Sequence, residues 1–270
     1  MKFTHHTEVK APILLVDLLS EETGLSKSIV KDCLKKGAVW LRRPKRKEIR
    51  VRRAKYQLKK KDSVKLYYDT SILSQPAPEP VCISDEGRYS IWNKPAGLLS
   101  QGTKYGDHCS LLRLVEKHFE NRDVFLVHRL DREASGLILI AHDRQAAAAF
   151  STIFGHHKDK SVEKWYQATV QKVLGENGKE LRIELPLDGK SSTTIVKVIA
   201  IDQQRDRSDL LIQILTGRYH QIRRHLSMIG HPIIGDHRYG RPEGEKLHLK
   251  ACRLSFTCPL TGQAKSYTLQ

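Results

Sequence analysis

The sequence predicts an α+β protein, in which a mixed, largely antiparallel β-sheet domain with flanking helices follows a small α/β N-terminal module. A chain of 270 residues is long enough for two domains. Two helical patterns and several short strand patterns fill the first 70 residues, whereas strand patterns dominate from residue 81 onward. Strands that follow each other this often favour an antiparallel or mixed sheet over a doubly wound one.

The N-terminal module is predicted to begin with two helices. "PILLVDLLSEE" has helical spacing and ends at Gly24, and Ser26 is the expected N-cap of a second helix in "LSKSIVKDCLKKG". The second helix has an apolar face and a separate lysine face: Val30, Cys33 and Leu34 on the first, and Lys27, Lys31 and Lys35 on the second. "AVWL", "IRVR" and "VKLYY" then predict short strands.

A proline-rich segment separates this module from the rest of the chain. In "TSILSQPAPEP" (70–80) three prolines disfavour a helix and favour an extended linker. We therefore expect a small basic module at 1–70, a proline-rich linker at 71–80 and a larger domain at 81–270. In the larger domain "DVFLVH", "GLILIA", "EKWYQATV", "LRIELPL", "TTIVKVIAI" and "DLLIQIL" predict strands, and "CSLLRLVEKHF", "RQAAAAFSTIF" and "YHQIRRHLSMIG" predict helices.

Positive charge is concentrated in the module. The chain has a net charge of +17, and its first 70 residues hold 19 Lys and Arg against 8 Asp and Glu. Such a concentration is typical of a surface that binds polyanions, although a solvated basic face would look the same. The candidate contacts to nucleic acid are Lys27, Lys31, Lys35, Arg42, Arg43, Arg46, Arg52 and Arg53.

Membrane and metal-binding classes are disfavoured. The chain has no apolar run of about 18 residues, so we expect no membrane span. Five scattered cysteines without a CxxC spacing favour reduced thiols and a cytoplasmic location. The adjacent His156 and His157 are the strongest candidates for metal ligands, but neighbouring residues seldom both bind one ion, and we expect no metal.

Charged residues stand between two apolar runs in "LVHRLDREASGLILIA" (126–141). Desolvating an unpaired charge is costly, so these side chains need partners, either across a structural salt-bridge loop or in a catalytic site held by two strands. A second cluster, "TGRYHQIRRHLSMIGHPIIGDHRYG" (216–240), presents Arg218, His220, Gln221 and Arg223 at the start of a helix. Such a helix start can bind a carboxylate or a phosphate, so Asp131 has a plausible basic partner there.

Together these segments resemble the RluA-type family of pseudouridine synthases. The first matches the family loop HRLDxxTSG except that Ala134 replaces the threonine, and the second fits the pattern GRxHQIRxHLxxxGxPIxGDxxYG. "NKPAGLL" (93–99), "KWYQATV" (164–170) and "ACRLSFTCPLTG" (251–262) match the other family motifs. Lys250 and Cys258 stand where histidines are common. The resemblance runs from residue 88 to residue 268.

The resemblance implies conversion of uridine in RNA to pseudouridine without a cofactor or a metal. By motif the catalytic aspartate falls on Asp131, its basic partner on Arg223 and the active-site tyrosine on Tyr166. A carboxylate can attack or stabilise the anomeric carbon, or take a proton from the neighbouring ribose carbon, and the sequence leaves these routes open. Tyr166 can stack on the uracil and take part in proton transfer.

Substrate contacts are expected around Asp131. The target nucleotide has to be extruded from a stem, and Arg129 is the expected wedge, because its planar guanidinium can stack in the vacated space. His128 and Arg132 either contact substrate or shape the loop. Arg218, His220 and Gln221 are the expected substrate-binding groups of the second cluster.

The N-terminal module resembles the small RNA-binding module first known from the fourth protein of the small ribosomal subunit. The resemblance implies structured RNA as the partner, with large-subunit ribosomal RNA favoured and transfer RNA as the alternative, and we expect a monomer. Two other classes stay open: a non-catalytic RNA-binding or ribosome-assembly factor, and a glycoside hydrolase whose second carboxylate is Glu133 or Asp236.

Overall fold

A computed structural model describes residues 1–120, 122–155, 162–241 and 244–269. The chain forms two compact units. The first consists of Met1–Ala77 and Gln101–His118, and the second of Pro78–Ser100 and Phe119–Gln270. No helix in the described parts of the chain is long and apolar enough to cross a membrane. His156 and His157 lie outside the described residues.

The first unit contains a four-stranded sheet and a two-stranded one. Its strands are β1 (Lys2–Glu8), β2 (Ile13–Leu14), β3 (Val39–Arg42), β4 (Ile49–Arg50), β5 (Gln57–Leu58) and β6 (Ser63–Asp69). The larger sheet has the order β1-β6-β3-β4, and β2 pairs with β5. Val64, Leu66 and Tyr68 are buried at alternate positions of β6, as expected of a strand with one face on a core.

Helices α1 (Leu15–Thr23) and α2 (Lys27–Lys36) pack on this core. The prediction for α2 is confirmed: the Ser26 hydroxyl accepts a hydrogen bond from the backbone N–H of Ile29, and Val30, Cys33 and Leu34 are buried. Helix α1 begins later than "PILLVDLLSEE" predicts. The first apolar residues of the predicted helix, Ile13 and Leu14, instead form β2, because they pair with the strand β5.

The boundary of the first unit differs from the sequence prediction in two places. Thr70–Leu73 forms a short helix, α3, with Leu73 buried in the core of the first unit, so the expected linker starts as folded structure. Residues 101–118, which end in helix α4 (Leu111–His118), belong to the first unit although we assigned them to the domain at 81–270. The Asp107 carboxylate in this segment accepts hydrogen bonds from Arg50 and Arg52 of the first 70 residues. These bonds hold the segment 101–118 in the first unit.

The second unit is built on one large mixed sheet. Its strands are β7 (Val81–Asp85), β8 (Tyr89–Lys94), β9 (Phe125–Leu126), β10 (Ser135–Ala141), β11 (Val162–Gln171), β12 (Glu180–Ile183), β13 (Thr194–Asp202), β14 (Arg207–Ile214), β15 (Leu249–Thr257) and β16 (Ala264–Thr268). They have the order β12-β13-β14-β11-β15-β10-β8-β7, with β16 beside β15 and β9 beside β10. Among the described strand pairs β10 and β15 run parallel and the others antiparallel. The predicted α+β class is confirmed.

Two helices, α5 (Arg144–Gly155) and α6 (Gln221–Met228), flank this sheet. Phe150 and Phe154 of α5 are buried with the sheet residues Tyr89 and Phe256. The predicted strand "DVFLVH" shortens to β9, because the chain leaves the sheet after Leu126. Residues 127–134 therefore form a loop that returns to the sheet at β10.

Gly136 fixes where this loop re-enters the sheet. Its φ of 114° suits glycine, and a Cβ at this position would lie 2.2 Å from the Ala251 carbonyl oxygen of β15. A larger residue would separate β10 from β15 five positions after Asp131. The close approach of these two strands thus positions the charged loop.

Candidate active site

The loop 127–134 is fastened to the segment after β8 by two buried side chains. Ser100 Oγ donates to the Leu130 carbonyl at 2.7 Å and accepts from the Leu130 N–H at 3.0 Å. Both backbone groups of Leu130 are therefore satisfied by one hydroxyl. Since Leu130 immediately precedes Asp131, this pair of hydrogen bonds fixes the backbone from which the carboxylate projects.

Lys94 is the second fastening. Its side chain is fully buried, and its Nζ donates to the carbonyls of Leu98 (2.8 Å), Ala134 (2.6 Å), Pro95 (3.1 Å) and Arg132 (3.3 Å). Burial lowers the pKa of Lys94 to about 8. The carbonyl dipoles replace the water that the ammonium has lost, and they come from the C-terminal end of the charged loop and from the turn after β8. The match of "NKPAGLL" to a family motif does not indicate this role of the lysine.

Asp131 and Arg223 form the ion pair that the motifs suggested. Arg223 Nη1 lies 3.3 Å from Asp131 Oδ2, and 3.6 Å from a Glu133 carboxylate oxygen. The Asp131 side chain is 19% exposed, whereas Arg223 is buried. Asp131 is thus a partly accessible carboxylate whose counter-charge cannot move away into solvent.

Asp236 holds Arg223 in place, and its role was missed by the sequence reasoning. Its carboxylate accepts two hydrogen bonds at 2.8 Å, from Nε and Nη2 of Arg223, in a bidentate pair. It also accepts from the backbone N–H groups of Arg238 and Tyr239. Burial alone would raise the pKa of Asp236, but these hydrogen bonds and the Arg223 charge lower it below its usual range. Asp236 is fully buried against Arg223, so it is not a free second carboxylate of the kind a glycoside hydrolase needs.

A cavity of about 450 Å³ opens at Asp131. Tyr166 of β11 and Lys164, two positions earlier on the same face of the strand, line it together with Arg129, Phe154 and other groups. Burial raises the pKa of Tyr166, and the charge of Asp131 raises it further, so the phenol stays protonated near neutral pH. Burial lowers the pKa of Lys164 to about 8, and its ammonium lies 4.7 Å from the Phe154 ring centroid.

The three basic residues of the loop around Asp131 have different surroundings. Arg129 is exposed at the cavity. His128 stacks on Phe154 with ring centroids 4.4 Å apart, and its Nε2 accepts from the Leu139 N–H. Arg132 does not line the cavity, and its Nε donates to the Gly97 carbonyl at 3.2 Å. Arg132 thus lies away from the cavity lining, whereas His128 packs on Phe154 and also lines the cavity.

The start of α6 supplies the other wall of the cavity. Gln221 is buried, and its amide bonds with Thr193, Thr194, Thr216 and the Arg218 N–H, so it fixes the turn before the helix. Arg218 lines the cavity and donates to the Ser191 carbonyl. His220 has a φ of 52°, and its Nε2 lies 3.6 Å from Asp131 Oδ1. Burial lowers the pKa of His220, an effect that the charge of Asp131 opposes.

The predicted RNA-binding residues of the first unit fall into two groups. Lys27 pairs with Asp17, Arg43 bonds to the Tyr56 hydroxyl, and Arg52 pairs with Asp107. The side chains in the second group are exposed and have no carboxylate partner among the described residues: Lys31, Lys35, Arg42, Arg46 and Arg53.

Comparison with known proteins identifies the larger part of the chain. The sequence model of the RNA pseudouridylate synthase family matches residues 88–228, which include the charged loop, Tyr166 and Arg223. The chain belongs to this family. The pseudouridine synthase match covers the loop that carries Asp131 and the helix start that carries Arg223, so the cavity between them is the family's candidate active site.

Individual relatives agree with the family assignment. The chain is 35% identical over 197 residues to the dual-specificity RNA pseudouridine synthase RluA of Vibrio parahaemolyticus, covering 62% of this chain and 73% of the relative. It is 33% identical over 188 residues to the protein of the same name from Vibrio cholerae, with the same coverage. The structure of human RNA pseudouridylate synthase domain containing 1 superposes with a TM-score of 0.59 at 20% identity, covering 73% of this chain and 86% of the human one.

The enzymatic prediction is confirmed: this chain is an RNA pseudouridine synthase. The non-catalytic and glycoside hydrolase alternatives are not supported. The family match begins at residue 88, so the resemblance of the first unit to a ribosomal RNA-binding module stays a prediction.

Proposed function

We propose that this pseudouridine synthase isomerises uridine in structured large-subunit ribosomal RNA, with Asp131 as the catalytic carboxylate. The observation that carries the catalytic assignment is the position of Asp131: a partly exposed carboxylate in a cavity large enough for a nucleotide, paired with a buried arginine. No other carboxylate of the charged loop combines these properties, since Glu133 is exposed and lies outside the cavity lining.

The surrounding groups suit the reaction. Asp131 acts at the ribose, either at the anomeric carbon or on the proton of the neighbouring carbon. Arg223 places a positive charge 3.3 Å from the carboxylate, and the bidentate pair with Asp236 keeps Arg223 from swinging toward the substrate. The Tyr166 hydroxyl, protonated at neutral pH, donates or returns a proton at the base, while its ring packs on the uracil.

The exposed basic side chains of the first unit support a folded RNA as substrate. Five of the predicted contacts have no carboxylate partner among the described residues, and they lie on α2, at the end of β3 and in the segments that follow β3 and β4. Cations without a fixed partner are available for phosphates, and phosphate contacts dominate RNA affinity. Transfer RNA is the second candidate, and the name dual-specificity of the two Vibrio relatives agrees with more than one kind of target.

The target is tested by mapping pseudouridines in ribosomal and transfer RNA from source-organism strains with and without the gene. We expect at least one ribosomal position to lose its pseudouridine, to regain it with the wild-type gene, and to stay unmodified with Asp131→Asn, which keeps the shape of the side chain and removes its charge. Loss confined to transfer RNA would favour the second candidate. Pseudouridine formation by purified Asp131→Asn would overturn the catalytic assignment.

The contribution of the first unit is tested in the full chain, because residues 101–118 fold with it. Replacing Lys31, Lys35, Arg42 and Arg46 together by Gln should flatten the plot of log affinity against log salt by roughly three units, at about 0.7 to 0.9 per lost phosphate contact. The single-turnover rate at saturating RNA should stay close to that of the wild type. The matched control exchanges Lys and Arg at the same four positions, which conserves charge and should preserve the slope. An unchanged slope in the Gln variant would mean that these residues do not touch the RNA.

A further inference from the structure

Tyr219 is an exposed aromatic side chain at the mouth of the active-site cavity. Tyr219 is 51% exposed, whereas the other Phe, Tyr and Trp residues that the structure describes are buried or half-buried. It lines the same cavity as Asp131. The family pattern GRxHQIR leaves its position free, so neither the resemblance nor the reaction accounts for a large ring here.

The Tyr219 ring is held rigidly. One face stacks on the His220 ring, with centroids 3.7 Å apart and an angle of 21° between the planes. Its hydroxyl accepts a hydrogen bond from Arg238 Nη1 at 3.1 Å. Arg238 in turn lies over the Tyr239 ring at 5.6 Å. The Arg238 guanidinium carbon also lies 5.7 Å from the Tyr219 ring centroid, and half of the residue still remains exposed. An aromatic ring that is held in one orientation and is open to solvent can stack with a further planar group.

The position of Tyr219 indicates which part of the RNA reaches the exposed ring. The Nε2 atom of His220 lies 3.6 Å from Asp131, and Tyr219 stacks on this same imidazole, so Tyr219 is one ring layer further from the reacting centre. A uracil that reaches Asp131 and Tyr166 occupies the interior of the cavity. The next nucleotide of the RNA then passes the mouth, where Arg218 and Arg238 supply positive charge for its phosphate.

We propose that Tyr219 is a stacking platform for an unpaired nucleobase adjoining the target uridine, with a purine preferred for its larger stacking area. The inference rests on the proposed function, since it assumes that the target uridine enters the cavity. Single-stranded RNA is commonly recognised by bases stacked on aromatic side chains. Tyr219 thereby adds a preference for the sequence that flanks the uridine, which Asp131 and Tyr166 cannot read.

The experiment combines variants of Tyr219 with abasic RNA. The RNA is a stem-loop that carries the mapped uridine, with the base on its 5′ or 3′ side removed in turn. Tyr219→Ala should weaken binding of the intact RNA roughly 5- to 150-fold, the range typical of one lost base stack. On the RNA that lacks the stacked base, the variant and the wild type should bind equally. Tyr219→Phe keeps the ring and should retain most of the affinity, which assigns the effect to stacking.

Controls separate this inference from the proposed function and from a loss of stability. Met228→Ala removes an exposed apolar side chain at the C-terminal end of α6, the helix that begins two residues after Tyr219, and should leave RNA affinity unchanged. Melting temperatures of the Tyr219 variants should match that of the wild type, because the side chain is exposed. If the wild type modifies the RNA but Tyr219→Ala binds intact RNA as well as the wild type does, or loses equal affinity for both abasic RNAs and the intact one, the platform is refuted. If the wild type forms no pseudouridine in any RNA, the proposed function itself is refuted, and the role of Tyr219 that rests on it is refuted too.

Discussion

Asp236→Asn is the sharpest test of how the active site is held together. The substitution keeps the shape of the side chain and removes one charge from the buried pair with Arg223. Oδ1 accepts from Arg223 Nη2 and from the N–H groups of Arg238 and Tyr239, and asparagine can retain all three of these hydrogen bonds. Its amide nitrogen then faces Nε–H of Arg223, so two donors meet and the guanidinium is no longer clamped.

The expected cost follows from burial. Removing one partner of a buried ion pair costs about 3–5 kcal/mol, and the three retained hydrogen bonds place Asp236→Asn at the lower end. A loss of about 3 kcal/mol changes the unfolding equilibrium by roughly two orders of magnitude. The single-turnover rate should also fall at saturating RNA, because Arg223 Nη1 is no longer fixed beside Asp131.

Urea unfolding and single-turnover kinetics measure the two effects. The matched control is Asp188→Asn. Asp188 also forms a bidentate pair, with Nη1 and Nη2 of Arg224, the next residue on α6, but its side chain is 68% exposed. We expect no measurable change in the control, since exposed ion pairs contribute little. In an Arg223→Lys background the kinetic effect of Asp236→Asn should largely disappear, because Asp236 acts through the guanidinium. Equal urea midpoints for the two Asn variants, or full activity of Asp236→Asn, would refute this account.

Three further predictions concern the cavity and the loop. Tyr166→Phe should lower the single-turnover rate by about 10²- to 10⁴-fold with RNA affinity nearly unchanged, because the ring stays and the proton donor is lost; a wild-type rate would exclude the hydroxyl from the chemistry. Lys94→Met should lower both the urea midpoint and the rate, since four carbonyls lose their donor, and a variant with normal stability and activity would contradict the fastening. Lys164, with a pKa of about 8 and access to the cavity, should react with an amine-selective reagent increasingly between pH 7 and 9, as it loses its proton, and should be protected by RNA. Lys94 has a similar pKa but is fully buried and should stay unlabelled, so peptide mapping that finds both lysines equally reactive would contradict the structure.

Local patterns predicted the parts of the fold that depend on neighbours in sequence. Helix α2, its Ser26 cap and its buried face follow from spacing within one dozen residues, and the structure confirms them. The strands of the second unit follow from short apolar runs in the same way. The pairing of Asp131 with Arg223 was inferred from two motifs together, and the two groups are found in contact.

Features that depend on distant partners could not be predicted. The assignment of residues 101–118 to the first unit depends on Asp107 meeting Arg50 and Arg52, more than fifty positions earlier. Asp236 looked like a spare carboxylate because no sequence pattern shows that both of its oxygens are occupied by Arg223. The two isoleucines before Asp236 in "IIGDH" are a local sign of burial, but they do not show which residue pairs with the carboxylate. The clustering of carbonyls on Lys94 likewise joins segments that are forty residues apart.

The return of residues 101–118 to the first unit limits how this protein can be divided. The chain crosses between the two units after Ala77, after Ser100 and after His118. If the first unit were a simple N-terminal extension, the chain would pass between the units once, and a single backbone cleavage would separate them. In this protein, a truncated chain that starts after Ala77 keeps Asp107 but lacks both arginines that bind it. The truncation also removes most of the unit in which Leu111 and Val115 of α4 are buried. The basic unit therefore cannot be exchanged as a cassette between enzymes unless the internal segment travels with it.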